Sequence, residues 1–321
     1  MMIVVHSTDS GVETVPIGAD PKQAQAIHPS CRRALEHVAA LSAGPPADAS
    51  LRITLNFHPD RIATGQPILQ ALAADGSYLS QFVTGTSNGG LTAHPGGDRW
   101  RWEHTMFAGA YDQAPAHVRP VYGGLNFRDK VIGAAPRFGS AHLRLTTAAL
   151  ARATFCYPDS FFEPTAFAVA DRMSLIALAT ADQQDELDDY IEAHVHGGVR
   201  LAHDVEALVL DPSYQHTDVE TAARQLPCPL EWHPGFRLSV AELCRHPDYR
   251  GQHYVDLGTT LADGGYLTPR LIGDAARSGN HDQQDLKRVW HYLARFGAPA
   301  TSHRRSRVKR RLREKRPPPT R

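Results

Sequence analysis

Between Tyr190 and Asp211 the chain reads YIEAHVHGGVRLAHDVEALVLD, with Glu192, His194 and His196 on alternate positions of an apolar, β-branched run. Side chains alternate between faces in an extended strand, so Ile191, Ala193 and Val195 share one side and Tyr190, Glu192, His194 and His196 the other. Three readings stay open for that polar side. It is the solvated face of a half-wet strand; or it is a metal pair, His194 and His196, supplemented by Glu192, His203 or Asp204; or its glutamate is an acid in a catalytic cleft.

Other residues offer less. Arg119, beside a proline, is either a phosphate contact or a surface residue. The loop SNGGLTAHPGGDR, with Ser87, Gly89 and Gly90, is either a backbone nest for a diphosphate or a plain turn, since it lacks a P-loop lysine and threonine. Trp232, His233 and Phe236 read as a packed turn. The FGS at 138–140 is no G-x-S-x-G elbow, so a serine hydrolase has no support.

These residues need a scaffold. Ile27, Ala34, Val38 and Leu41 predict one or two N-terminal helices within Asp20–Leu41, with a break near Pro29. LRITLNFHPDR predicts a strand that enters a turn at His58-Pro59, and GQPILQALAADG a helix stopped by Gly76. High glycine density from Tyr78 to Gly139, interleaved with aromatics, predicts short strands and loops around a cleft. AHLRLTTAALARATFCY reads as strand. PLEWHPGFRLSVAEL predicts strand, turn and helix, LTPRLIGDAAR a proline-initiated helix, and DQQDLKRVWHYLARFG a last helix closed by Gly297. The order has no βαβ rhythm, which predicts an α+β fold with mixed or antiparallel sheets.

A chain of 321 residues is long enough for a full core. Residues 1–50 read as a helical segment and linker, 51–298 as the main domain and 299–321 as a basic disordered tail. The net charge of zero hides a division: from Thr301 onward there are ten Lys/Arg against Glu314, which leaves 24 bases and 33 acids in the rest. Such a tail is either solvated and unfolded or a weak, salt-sensitive binder of nucleic acid. Cys31, Cys156, Cys228 and Cys244 show no CxxC spacing, so no disulfide framework or zinc ribbon is expected, and a reducing cytoplasm fits. The opening MMIVVHSTDSG is too short for a signal h-region and no run suits a membrane span, so the chain is expected to be soluble, with no membrane partner.

LRITLNFHPDR, the stretch from GSYLSQF to GAYD, RPVYGGLNF, PRFGSAHLRL, the opening stretch and WHPGFRLSV together resemble a bacterial family of uncharacterised proteins, domain-of-unknown-function family 3626. The likeness runs from about Leu51 to Ala276 and carries no activity with it. At His194 the resemblance implies glutamine in many relatives, so a role for this histidine is not part of what the likeness implies. A second pattern is similar to the ADP-ribosyltransferase fold: LNFHPDRIATGQPILQALAADG resembles its first strand and helix, RPVYGGLNF its tyrosine strand, and DYIEAHVHGGVRL its late glutamate strand. That likeness implies an ADP-ribosyltransferase-like cleft, NAD as co-substrate, a macromolecular acceptor or water, and no metal. Its catalytic set falls on His58 as ribose clamp, Tyr122 as nicotinamide platform and Glu192 as charge-stabilising acid, with Arg61, Arg119, Ser87, Gly89 and Gly90 as candidate cofactor contacts. The alternatives are a metal-dependent hydrolase on His194, His196 and Asp204, and a non-enzymatic interaction protein.

Overall fold

The computed structural model describes residues 27–63, 65–85 and 91–299. Ser87, Gly89, Gly90, the stretch before Ile27 and the basic tail lie outside them. The fold is α+β, as its element order predicts. Its centre is an eight-stranded sheet of β1 (Ile53–Phe57), β2 (Val121–Leu125), β3 (Ala141–Leu145), β4 (Ala153–Tyr157), β5 (Ala166–Val169), β6 (Ile191–Val195), β7 (Val205–Leu210) and β8 (Leu230–Trp232). In space they run β8-β7-β3-β1-β2-β6-β4-β5. Every neighbouring pair is antiparallel except β7 and β8, so the sheet is mixed.

One face is apolar. Ile53, Leu55, Phe57, Leu143, Phe155, Ile191 and Val195 are all fully buried there, beneath Leu69 and Leu72 of α2 (Ile68–Asp75). That helix ends where expected, at Gly76, whose φ of 60° suits a residue without Cβ. Each buried aliphatic or aromatic side chain contributes about 1.5–3 kcal/mol, so this face carries the stability.

The other face is different. Register places Thr54, Gly124, Glu192 and Cys156 in one row across four strands, and Tyr122, His194 and Thr154 in the next. Two further apolar clusters cover it. Cys31, Ala34 and Val38 of α1 (Pro29–Leu41) pack with Met106, Phe107 and Tyr111, beside and beyond α3 (Asp98–Met106). The other is built from C-terminal helices, chiefly α4 (Gln252–Leu261), α5 (Pro269–Ser278) and α6 (Gln283–Phe296). In α6, Asp282 caps the Gln284 and Asp285 amides, and Leu286, Val289, Trp290 and Leu293 form the buried stripe.

One expectation needs correction. AHLRLTTAALARATFCY is not one strand: a 3-10 turn at Thr147–Arg152 separates β3 from β4, which lie four places apart in the sheet. The β-branched and apolar residues continue through that turn because Ala149 and Leu150 are themselves buried, which hides the break from periodicity. The helix expected after the break near Pro29 runs from Pro29 to Leu41, and the part of Asp20–Leu41 before Ile27 lies outside the described residues. Proline at the first helical position loses no hydrogen bond, and the His28 ring accepts from the Ser30 amide. Among the described residues no helix is long and apolar enough to cross a membrane.

Candidate functional site

The sheet opens in its middle. β1 pairs with β3 from Thr54 to Phe57, and β2 pairs with β6 over its whole length. Between β1 and β2 only Ile53–Leu125 and Thr54–Gly124 are in register, so the two four-stranded halves part beyond Thr54. Gly123 makes the apex possible: a Cβ there would lie 2.5 Å from Leu55 Cδ2 and 2.7 Å from the Thr54 carbonyl. The parted strands enclose a cavity of about 310 Å³, lined by Thr54, Asn56, Tyr122, Gly123 and Glu192 from the sheet, by Ile68 and Leu72 of α2, and by Arg99 of α3. Thr54 and Asn56 also hold its wall, because the Thr54 hydroxyl accepts from the Ala134 amide and the Asn56 amide donates to the Ile132 carbonyl.

Glu192 sits in the cavity floor and is buried. Its Oε2 accepts from the Ser160 hydroxyl at 3.0 Å and the Ser160 amide at 3.3 Å, and its Oε1 faces His194 Nε2 at 3.0 Å and Arg99 Nη1 at 3.7 Å. Burial on its own raises a carboxyl pKa. Here the His194 hydrogen bond, the Arg99 charge and Ser160 outweigh it and hold Glu192 below its ordinary value, so the group is an anion at neutral pH. Burial likewise keeps His194 and His196 neutral, that of His196 well below the usual imidazole range.

With Glu192 acceptor-only, the tautomers follow along one chain. His194 donates from Nε2 to Glu192, and its Nδ1 accepts from the Thr154 hydroxyl at 3.1 Å. Thr154 accepts from His196 Nε2 at 3.0 Å, and His196 Nδ1 accepts from the Tyr111 hydroxyl at 2.5 Å. Four hydrogen bonds thus point the same way and end on one carboxylate, an arrangement in which each bond polarises the next.

A second buried network stands behind Tyr122. Its hydroxyl donates to Glu103 at 2.8 Å, its ring lies 4.1 Å beneath the Arg99 guanidinium, and Arg119 pairs with the other Glu103 oxygen. Burial pushes Glu103 up to about 7 in spite of Arg119 and Tyr122. Arg99 and Glu103 are one turn apart on α3 and both face the sheet.

The structure thus brings Tyr122 and Glu192 to one cavity. His58 is not in its lining: it follows β1 and meets Trp290 of α6 edge-on, with centroids 4.9 Å apart. Arg61 is also outside the lining. Arg119 is neither a surface residue nor in the lining, being buried and engaged by Glu103 and the Tyr111 carbonyl. The solvated-face reading of Glu192, His194 and His196 is overturned, since all three are buried. The metal set His194, His196 and Asp204 does not assemble: Asp204 pairs with Arg152 at 2.8 Å and caps the Arg200 amide, while His196 is held by Tyr111 and Thr154. Among the described residues, the one group of potential metal donors is Cys156, Glu192 and His194, with donor atoms within 4.8 Å.

Arg99, Glu103 and Ser160 escape a motif reading because each gains its role from a residue far along the chain. The available signal is the arginine and glutamate four apart in DRWRWEH, a spacing that puts two charges on one helix face.

The chain belongs to the family described as a protein of unknown function, DUF3626, whose model matches residues 52–180 and 165–296. No curated protein matches it.

Proposed function

We propose that this member of the family binds NAD in the cavity between its half-sheets and breaks the nicotinamide–ribose bond, giving ADP-ribose to a macromolecular acceptor or to water. The C1′–N bond electrons leave with nicotinamide, the acceptor oxygen or nitrogen bonds to C1′, and the acceptor's proton goes to solvent. The observation that carries this reading is an ionised, buried glutamate in the floor of a cleft opened between two strands of one sheet, beside a tyrosine ring. The motif resemblance to the ADP-ribosyltransferase fold in LNFHPDRIATGQPILQALAADG, RPVYGGLNF and DYIEAHVHGGVRL is its second support.

Glu192 supplies the electrostatics. The ribose becomes oxocarbenium-like as nicotinamide leaves, and a fixed carboxylate gains attraction as that charge develops. Its oxygens have more lone-pair sites than the hydrogen bonds from Ser160 and His194 occupy, so a ribose hydroxyl can be accommodated. Tyr122 offers its cavity-lining side to the nicotinamide ring, its other contacts being fixed by Arg99 and Glu103. Arg99 and His194 are positioning residues that keep Glu192 charged and aimed. The ribose clamp is not assigned to His58, which lies outside the lining.

A metal-centred reading has one observation in its favour, the convergence of Cys156, Glu192 and His194. The chemistry of the set opposes it: a guanidinium stands 3.7 Å from the same Glu192 oxygen, and burial holds the Cys156 thiol well above its usual value, hence neutral. Glu192→Gln separates the two. NAD cleavage predicts unchanged NAD affinity with turnover lowered about 100-fold or more; a metal centre predicts lowered metal content, with chelators reproducing the effect on the wild type. Full turnover in the variant removes the proposal.

A further inference from the structure

NAD is two nucleosides joined by a diphosphate, and the cavity is too small for the whole of it. Ligand pockets run from about 300 to 1,000 Å³, and at about 310 Å³ this one stands at the lower limit, the space of one nucleoside. Whether phosphate enters with that nucleoside is decided by the charges and hydrogen-bond donors of the walls.

The donors that ordinarily hold a phosphate are already occupied. Among the described residues Arg99 is the one base in the lining, against two acids, Asp75 and Glu192. Arg99 is 4% exposed, donates to the Ser160 hydroxyl at 2.6 Å and lies over the Tyr122 ring. It also stands 3.7 Å from Glu192 Oε1 and helps to keep that carboxyl charged, so a phosphate that drew the guanidinium away would disarm the acid. Backbone amides are the usual alternative. Those of Ala134 and Ala135 donate instead to the Thr54 hydroxyl at 2.8 Å and to Asn56 Oδ1 at 3.3 Å, and that of Ile68, the first of α2, to the Arg61 carbonyl at 2.9 Å. Asp75 joins the lining from the last turn of α2, where the carbonyl end of the helix adds partial negative charge.

What remains open suits a ring and an uncharged sugar. Tyr78, Tyr122 and Phe138 bring three aromatic rings to the lining, and Ile68, Leu72 and Val121 supply aliphatic surface. The excess of acid over base favours a cation, and the pyridinium of nicotinamide riboside is one.

We infer that the cavity is a nucleoside site for a phosphate-free N-riboside with a cationic base, so that nicotinamide riboside is itself a substrate and the diphosphate of NAD stays outside. The activity in this inference rests on the cleavage reading; the binding does not. With water as acceptor, the C1′–N bond electrons leave with nicotinamide, the water oxygen bonds to C1′ and a proton goes to solvent, giving ribose.

The test compares nicotinamide riboside, nicotinamide mononucleotide and NAD on the full chain. Wild type is expected to release nicotinamide from all three, with kcat/KM for the riboside within about threefold of that for the mononucleotide, because a phosphate outside the cavity adds only a screened charge. Calorimetry on Glu192→Gln, which leaves the bond intact, is expected to rank the ligands alike, and inorganic pyrophosphate is expected not to compete. Asp75→Lys, at an exposed position, is expected to weaken the riboside and strengthen the mononucleotide with an unchanged melting temperature. A mononucleotide handled about tenfold better than the riboside or more, or displacement of the riboside by pyrophosphate, overturns the inference. NAD cleaved with the riboside left intact overturns it as well and leaves the cleavage reading standing. Riboside bound by wild type with no nicotinamide released from any of the three supports the site and removes the cleavage reading alone.

Discussion

The Thr154 hydroxyl lies 3.1 Å from Nδ1 of His194, and so fixes which nitrogen of that imidazole carries the proton directed at Glu192. Thr154→Val keeps the shape and removes the link, leaving His196 Nε2 buried without its partner and His194 Nδ1 without the hydroxyl. An unsatisfied buried polar group costs about 1–3 kcal/mol, so a loss of at least that size is expected in urea denaturation. Thr154→Ser, which keeps the hydroxyl, should recover most of it. Equal stability of the valine and serine variants would dismiss the relay.

Arg99 and Glu192 are each buried, and each is the other's charge partner. Replacing one alone strands the other, at about 3–5 kcal/mol, whereas replacing both by methionine removes two desolvation penalties together. A double-mutant cycle should therefore give a double variant more stable than the sum of the singles implies. Simple additivity would mean that the two do not interact.

Glu103 sets a pH dependence. Burial raises it from 4.5 to about 7, so the folded state binds its proton more tightly than the unfolded chain does. Its contribution is complete below about 4.5 and disappears as pH rises through about 7, an effect of order 3 kcal/mol. Glu192, held below its ordinary value, acts oppositely, losing its contribution as pH falls through that lowered value. Between pH 5 and 8, wild type should lose stability relative to Glu103→Gln; parallel stability curves would refute the assignment.

How much of this is legible in the sequence depends on the distance over which each feature is decided. The Gly76 stop, the last helix closed by Gly297 and the alternation of Ile191–Val195 are local, and they read correctly. The burial of Glu192 is not local: Arg99 and Ser160, 93 and 32 residues away, convert a polar strand face into an interior one. His58 shows the converse. Its strand and turn are plain in LNFHPDR, yet its surroundings are set by Trp290 and Lys287, which no local pattern connects to it. The parting of β1 from β2 is a property of missing ladder pairs, and composition carries no trace of it beyond the paired glycines 123 and 124.

Gly123→Ala tests that parting directly. The added methyl meets Leu55 Cδ2 and the Thr54 carbonyl well inside contact distance, so a cost of about 1–3 kcal/mol is expected, together with weaker NAD binding. Unchanged stability would show that the strands are not in close approach there.

The halves are paired beside the cavity at Ile53–Leu125 and Thr54–Gly124, with the Asn126 amide donating to the Arg52 carbonyl at 2.8 Å next to them, and these rungs form a pivot. A loop-closed pocket adjusts residue by residue. This one is gauged by an angle, since turning one half-sheet against the other moves Asn56 relative to Tyr122 and Glu192 while leaving the ladders inside each half intact. The width of the cleft and the separation of its walls are one coordinate, and the glycine at the vertex is its bearing.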